Sequence, residues 1–239
     1  MIWLAKWVLT VAFVRKKDMG IKLVIFDVDG LLLNTEFVWD TVWKNVADKY
    51  NEPRFYDLHK YAVGITGKET EDLITNNLPD VENPLQMLQE ARDTGAQLMK
   101  KEVAVMPGVF DFLEYLKANN FSLAVATTTP RNLTMERLTQ TGLLRYFKVI
   151  VCGDEVKRRK PDPEIYTTVL KKTGYSADEA IVFEDTGYGV TAAYNANIRP
   201  VMVPSLRQPN NAEKAMCFDI IDNLSEGEDL VRKIVNSVC

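Results

Sequence analysis

Short apolar runs alternate with amphipathic segments over most of the chain. The first run, residues 21–26, predicts a buried strand, and later runs predict strands over 122–126, 149–152, 180–183 and 200–203. Segments with apolar positions at helical spacing lie between them and predict helices over 109–119, 132–141, 162–173 and 189–196. Strands without polar interior positions, joined by helices, indicate a parallel sheet covered on both faces. We expect an α/β fold with a doubly wound, Rossmann-like core.

Residues 37–105 have a different pattern. Apolar positions recur there at helical spacing, as at Val38, Val42 and Val46, and no strand-like run interrupts them. We therefore predict a small all-helical cap domain over 37–105. It would be inserted after the first strand into a core domain formed by residues 20–36 and 106–239.

Residues 1–19 do not follow the alternation of strand and helix patterns, and we predict that they form an N-terminal extension. They are mostly apolar up to Val14, and the basic residues Arg15, Lys16 and Lys17 follow. The apolar stretch is shorter than the ~20 residues that a membrane span requires, so no stable membrane insertion is expected. A packed amphipathic extension, a membrane-surface helix and a start at Met19 are the alternatives.

The charge and the cysteine and histidine content of the chain argue against several classes of function. The 239 residues carry a net charge of −4, which argues against a general nucleic-acid binder because such a protein needs a basic face. The 3 cysteines have no metal-ligand spacing and indicate a reduced, cytoplasmic setting. His59 is the only histidine, which excludes most zinc chemistry and any Ser-His-Asp catalysis that uses another histidine.

Acidic side chains follow the first predicted strand. Asp27 and Asp29 stand at its carboxyl end, and Gly30 permits a sharp turn beside them. Side chains alternate along extended backbone, so the two carboxylates begin on opposite faces. One can then attack a substrate while the other serves as acid or base. For these residues taken alone, an acidic turn without a catalytic role is an equal alternative.

Hydroxyl groups follow the strand predicted over 122–126. Thr127, Thr128 and Thr129 come directly after it, and Arg131 leads into the next helix. Hydroxyls and free backbone N–H groups at a helix start can bind an anion, and open α/β sheets bind ligands at their carboxyl ends. A capping turn is the alternative reading of this segment.

Charged groups follow the next two predicted strands. Lys160, beside a helix start, can neutralise a phosphate and a carboxylate together. Glu184 and Asp185 come directly after an apolar strand, and paired carboxylates suit a hard cation such as Mg²⁺. Taken singly, these groups are also explained as a surface lysine and an acidic turn.

The four groups occur in the order DxDG, Thr, Lys-Pro and Glu-Asp, each at the end of a predicted strand. This order and spacing resemble the haloacid dehalogenase-like (HAD) hydrolase superfamily, over about residues 20–223. The helical insertion directly after the first motif resembles the β-phosphoglucomutase-like branch of small sugar-phosphate phosphatases and mutases. The resemblance implies a HAD core with an α-helical cap.

The resemblance also implies a role for each motif residue. Asp27 would attack phosphorus and become an aspartyl phosphate, and Asp29 would protonate the leaving alkoxide and then deprotonate water. Thr127 and Lys160 would hold the phosphoryl oxygens. Mg²⁺ would be the cofactor, bound by Asp27, the backbone carbonyl of Asp29, Asp185 and, directly or through water, Glu184.

In this family the cap closes over the site and selects the substrate. The loop 64–68 matches the substrate-contacting loop of the cap, so Thr66 and Lys68 are expected to contact substrate. Thr128 and Arg131 are expected to contact it from the core. A solvated helix start, with Thr66 as the cap for Glu69, is an equal alternative.

These features lead us to expect a Mg²⁺-dependent phosphatase acting on a small phosphorylated metabolite, a sugar or polyol phosphate. The mutases carry a histidine and an arginine at positions occupied here by Trp39 and Gly67, which favours hydrolysis over the alternative of a phosphosugar mutase. A non-catalytic binding protein is the alternative from another class, and the intact motif residues argue against it. Dehalogenation is disfavoured by Asp29. The metabolite and the oligomeric state are left open, and a monomer is compatible with the sequence.

Overall fold

The structure is a computed structural model that describes residues 20–62, 65, 67–101 and 103–236. The predicted N-terminal extension and Thr66 lie outside these residues. Within them, every helix is too short or too polar to cross a membrane.

A sheet of six parallel strands forms the centre of the described molecule. Its order is β3-β2-β1-β4-β5-β6, so β1 lies between β2 and β4 and the winding reverses at β1. β1 and β4 are fully buried, in keeping with the apolar side chains of all their residues except Glu184 at the end of β4. The strands are β1 (Leu23–Phe26), β2 (Ser122–Ala126), β3 (Val149–Val151), β4 (Ala180–Glu184), β5 (Arg199–Met202) and β6 (Asp219–Ile220).

The part of the chain between β1 and residue 101 is mostly helical and has a core of its own. Trp43 stacks on Phe55 with ring centroids 4.5 Å apart, and Ile74 and Met87 are buried in the same cluster. This segment forms the cap. Its helices are α1 (Thr35–Tyr50), α2 (Pro53–Asp57), α3 (His59–Ala62), α4 (Lys68–Asn77) and α5 (Pro84–Lys101).

Helices cover both faces of the sheet. On one face Phe26 stacks on Phe183 at 5.4 Å and meets Phe112 edge to face at 5.9 Å. On the other face Leu23 and Tyr166 belong to a second buried cluster. The expected doubly wound α/β core with a helical cap is confirmed, while the boundaries of the domains stay a prediction. The core helices are α6 (Val109–Ala118), α7 (Arg131–Gln140), α8 (Glu164–Thr173), α9 (Gly187–Asn195), α10 (Asn211–Met216) and α11 (Gly227–Asn236).

Three elements near the carboxyl end of the chain had not been predicted: α10, β6 and α11. Helix α11 buries Leu230 and Val231 in the cluster that contains Phe112, and it contacts α6. Helix α8 was predicted to begin at residue 162, but in the structure it begins at Glu164. Pro161, which suits the first turn of a helix, precedes this helix instead.

Candidate active site

The predicted site residues meet at the carboxyl ends of three neighbouring strands. Asp27 follows β1, Thr127 follows β2 and Asp185 follows β4, while Lys160 comes from the segment between β3 and α8. Parallel pairing places these strand ends on one edge of the sheet, at the point where the winding reverses. This is the position at which open α/β sheets bind ligands.

Lys160 is buried, and its ammonium group connects three of the strand ends at this edge of the sheet. Its Nζ atom donates to Asp27 Oδ1 at 2.6 Å, to Glu184 Oε1 at 2.5 Å and to the carbonyl oxygen of Ala126 at 2.9 Å. Burial acts to lower the pKa of Lys160, but the charges of Asp27 and Glu184 outweigh it and hold the pKa well above 10.5. Lys160 therefore stays protonated and supplies a fixed positive charge beside Asp27.

Glu184 has protein partners on both of its carboxylate oxygens. Besides Lys160, Oε1 accepts from the hydroxyl of Tyr166 at 2.9 Å, and Oε2 accepts from the backbone N–H and the hydroxyl of Thr186, each at 3.1 Å. Glu184 is almost fully buried and does not line the cavity described below. Glu184 was expected to bind Mg²⁺ directly or through water, and this stays a prediction; in the structure its carboxylate contacts Lys160.

Asp27 and Asp185 lie among several carboxyl groups at this edge of the sheet. Burial, followed by the charge of Glu184 and then that of Asp29, raises the pKa of Asp27 to about 7 against the opposing effect of Lys160. Burial and the charges of Glu184 and Asp27 likewise raise the pKa of Asp185 well above 3.8. Such crowding of carboxylates favours protonation or a cation.

Asp185 also has an oxygen without a partner. Its Oδ2 accepts from Ser205 Oγ at 2.7 Å, but its buried Oδ1 has no hydrogen-bond partner among the described residues. Gly30 has a φ of +81°, and a Cβ there would lie 2.2 Å from Asp185 Oδ2. Only glycine permits this close approach of the DxDG turn to Asp185.

The donor set fits Mg²⁺. Among the described residues no three His, Cys, Asp or Glu side chains form a ready-made cage. Mg²⁺ commonly takes one or two carboxylates and completes its shell with waters and substrate phosphate. Asp27 and the Oδ1 atom of Asp185 supply two carboxylates, and the backbone carbonyl of Asp29 and, directly or through water, Glu184 are the other ligands proposed from the sequence.

The side chain of Asp29 is held by two donors. Arg137 Nη1 donates to its Oδ1 at 2.6 Å, and Thr129 Oγ1 donates to its Oδ2, also at 2.6 Å. Asp29 and Arg137 both line the cavity. Their pairing was not predicted, because the sequence gives no sign of which face of α7 points to the site.

The hydroxyl residues after β2 differ in position. Thr127 is buried and its Oγ1 accepts from the backbone N–H of Thr129 at 3.2 Å, which leaves its own proton free to be donated. Thr128 lines the cavity. Arg131 does not line it and donates instead to the carbonyl oxygen of Ile150 and to Glu155.

A cavity of about 330 Å³ lies over the site, between core and cap. Burial and the charges of Asp29 and Asp27 raise the pKa of one of its lining residues, Glu36, to about 7. Burial lowers the pKa of another, His59, against the charge of Asp40. From the cap the cavity is lined chiefly by Glu36, Trp39, Trp43, His59, Gly67 and Arg92.

Arg92 is a cation of the cap that lines the cavity, whereas the predicted contact Lys68 lies outside its lining. Lys68 is 83% exposed, pairs with Asp72 at 3.1 Å and does not line the cavity. Arg92, on α5, does line it and contacts Glu71 and the carbonyl oxygen of Gly67. The amphipathic pattern of α5 indicates a buried face but does not reveal that Arg92 reaches the cavity at its edge.

Comparison with known proteins identifies the family. A model of the haloacid dehalogenase-like hydrolases matches residues 24–203. The chain belongs to the haloacid dehalogenase-like hydrolases. The matched range begins within β1 and ends just past β5, so it contains all four of the motifs.

Relatives of this HAD hydrolase include named phosphatases. A phosphorylated carbohydrates phosphatase of Thermotoga maritima is 36% identical over 183 residues, which are 74% of this chain and 82% of the relative. The validoxylamine A 7'-phosphate phosphatase of Streptomyces hygroscopicus subsp. limoneus is 28% identical over 74% of this chain and 83% of its own. The predicted family and the predicted enzyme class, a HAD-like phosphatase, are confirmed.

A solved structure agrees with the fold. The crystal structure of a candidate β-phosphoglucomutase from Thermotoga maritima superposes on this HAD phosphatase with a TM-score of 0.72 and 31% identity. The match covers 90% of this chain and 100% of that one, so it includes the cap as well as the core.

Proposed function

We propose that this protein is a Mg²⁺-dependent phosphatase that hydrolyses a small phosphorylated sugar or polyol through an aspartyl phosphate. The observation that carries the proposal is the contact of 2.6 Å between buried Lys160 and Asp27 at the cavity, with the unpartnered Asp185 Oδ1 nearby. A carboxylate and a phosphate repel each other, and a fixed cation beside the carboxylate reduces that repulsion.

In the first step a carboxylate oxygen of Asp27 attacks phosphorus. The P–O bond to the leaving group breaks, and Asp29 gives its proton to the leaving oxygen. Lys160 and the hydroxyl of Thr127 hold phosphoryl oxygens during the transfer. These assignments rest on the positions of the four side chains at one edge of the sheet.

In the second step Asp29, now a carboxylate, takes a proton from water, and the resulting hydroxide attacks the phosphorus of the aspartyl phosphate. Phosphate leaves and Asp27 is restored. Mg²⁺, held by Asp27, Asp185 and the carbonyl of Asp29, would supply positive charge to the phosphoryl oxygens in both steps.

The cavity supports a small substrate. A volume of about 330 Å³ is at the lower end of the range of small-molecule sites. Aromatic and polar groups from the cap, Trp39, His59 and Arg92 among them, suit the face and hydroxyls of a sugar. The carbohydrate phosphatase of Thermotoga maritima, which is 36% identical, supports the same substrate class. Thr66 and Thr128 stay proposed substrate contacts.

The test is phosphate release from sugar, polyol and nucleoside monophosphates, with Mg²⁺ and with a chelator. We expect Mg²⁺-dependent release from a few related sugar or polyol phosphates. Asp27→Asn should abolish this release because an amide cannot form the aspartyl phosphate. Asp111→Asn makes the same chemical change at an exposed position on α6 and should retain full activity. Substantial turnover by Asp27→Asn would contradict the covalent mechanism.

The same samples test the alternative of a phosphosugar mutase. The 31% identity to a candidate β-phosphoglucomutase keeps this alternative open. Glucose 6-phosphate formed from β-glucose 1-phosphate faster than phosphate is released would favour the mutase. Absence of both reactions would favour a binding protein.

A further inference from the structure

Arg137 contacts the residue to which the proposed function assigns both proton transfers. Its guanidinium donates to Asp29 Oδ1 at 2.6 Å, at the edge of the cavity. We propose that Arg137 is a positioning residue that holds the carboxyl group of Asp29 where it can serve the leaving oxygen of the substrate. This inference rests on the proposed function and assigns it one further residue.

The ion pair between Arg137 and Asp29 restricts the orientation of the Asp29 carboxyl group. The side chain of Arg137 is only 12% exposed and that of Asp29 22% exposed, so solvent screens the pair weakly. The second oxygen of Asp29 accepts from the hydroxyl of Thr129 when Asp29 is a carboxylate, and the same hydroxyl can accept from that oxygen when Asp29 carries the proton. Without Arg137 a single neutral hydrogen bond would remain, and the carboxyl group could rotate away from the leaving oxygen.

Arg137 is itself held from two sides. On α7 it stands three residues after Thr134 and one before Leu138, both fully buried, so the helix packs firmly against the core here. Its Nη2 atom donates to the sulfur of Met99 at 2.9 Å, in the last helix of the cap. The rigid fork of a guanidinium makes both contacts at once, which the single ammonium group of lysine cannot do in the same geometry.

Substrates with different leaving groups can distinguish a positioning role of Arg137 from a purely structural role. A sugar or polyol alkoxide is a poor leaving group and needs the proton of Asp29 as the P–O bond breaks. The 4-nitrophenolate ion leaves without that proton. General acid catalysis contributes about 10²–10⁴-fold, and a misplacement of about 1 Å can cost about 10²-fold. Displacing Asp29 should therefore slow transfer from alkyl phosphates and spare transfer from aryl phosphates.

The experiment compares Arg137→Gln, Arg137→Lys and wild type on the best sugar phosphate and on 4-nitrophenyl phosphate. We measure kcat/KM, because it reports the steps up to departure of the leaving group. Arg137→Gln should lower kcat/KM about 10–100-fold for the sugar phosphate and less than about threefold for the aryl phosphate. Arg137→Lys, which keeps the charge, should recover part of the loss.

Arg232→Gln is the matched control. It removes an exposed arginine–carboxylate pair with Glu228 on α11, outside the cavity, and should change neither rate. An equal loss on both substrates, or no loss on either, would overturn the inference. If Arg137→Gln does not fold, as judged by circular dichroism, Arg137→Lys decides by the same comparison. A wild-type protein that releases phosphate from neither substrate would instead overturn the proposed function.

Discussion

Arg92 and Lys68 are two cations of the cap with different access to the cavity. The side chain of Arg92 is about one third exposed and lines the cavity, whereas that of Lys68 is mostly in solvent and pairs with Asp72. An exposed ion pair contributes little, while a hydrogen bond to a charged group is worth about 1.5–3 kcal/mol. Arg92→Ala should therefore raise KM for the best sugar phosphate about tenfold or more, since 1.4 kcal/mol is a factor of ten.

Lys68→Ala is the comparison for this prediction, and both variants should be assayed on the sugar phosphate and on an aryl phosphate. We expect Lys68→Ala to have the smaller effect on KM for the sugar. A larger effect of Lys68→Ala than of Arg92→Ala would support the cap contact that the sequence indicated.

Single residues differ in how well the sequence revealed them. Asp27 and Asp185 could be placed at one site because each directly follows a strand, and parallel strands end at one edge. Lys160 lies farther along the segment between β3 and α8, and its place at the site was predicted from the order of the motifs. Arg137 and Arg92 could not, because they lie inside helices, where helical periodicity gives a face but not what that face meets. The role of Glu184 also required the structure, since its contacts to Lys160 and Tyr166 join segments distant in sequence.

Within the cap, the close packing of α5 against α1 requires a glycine at position 95. A Cβ at Gly95 would lie 2.3 Å from the indole ring of Trp39. Gly95→Ala should gain about 1 kcal/mol of helix stability but lose about 1–3 kcal/mol through overpacking. We expect a net loss of stability and, because Trp39 lines the cavity, a higher KM for the sugar phosphate.

Thermal denaturation and steady-state kinetics check this prediction. Gln97→Ala, at an exposed position of α5, is the control and should change neither the Tm nor KM. The double variant Gly95→Ala with Trp39→Phe should recover much of the lost stability, since the smaller ring leaves room for the methyl group. A Gly95→Ala protein with raised Tm and unchanged KM would show that the contact is unimportant.

Whole elements were predicted best where their own pattern is strong. β1, β2 and β4 are continuous apolar runs, and their predicted ranges agree with the structure to within two residues at either end. β6 has only two residues, Asp219 and Ile220, and α10 only six, too few to establish a period. Helix α11 has an amphipathic face formed by Leu230, Val231 and Ile234, so its helical periodicity could have predicted it, although no element was predicted beyond residue 203.

In the whole molecule, the buried carboxyl groups proposed to bind Mg²⁺ at the carboxyl edge of the sheet lower the stability of the folded protein. The raised pKa values of Asp27 and Asp185 mean that folding disfavours their charged forms. The folded-state pKa of Asp185 lies above its usual 3.8, so its contribution to stability falls as the pH rises above that value. At pH 7 without metal, the folded protein therefore retains an unfavourable group that a bound cation would neutralise.

Asp185→Asn should remove this unfavourable charge. In chelator at pH 7 we expect the Tm of Asp185→Asn to exceed that of wild type. Saturating Mg²⁺ should raise the wild-type Tm, since a ligand at about 100 times its Kd contributes about 2.7 kcal/mol, or about 5–10 °C for a chain of this size. The variant should respond much less because it lacks the carboxylate. Equal responses of the two proteins to Mg²⁺ would exclude Asp185 as a ligand, and a variant less stable than wild type in chelator would contradict the crowding of charge.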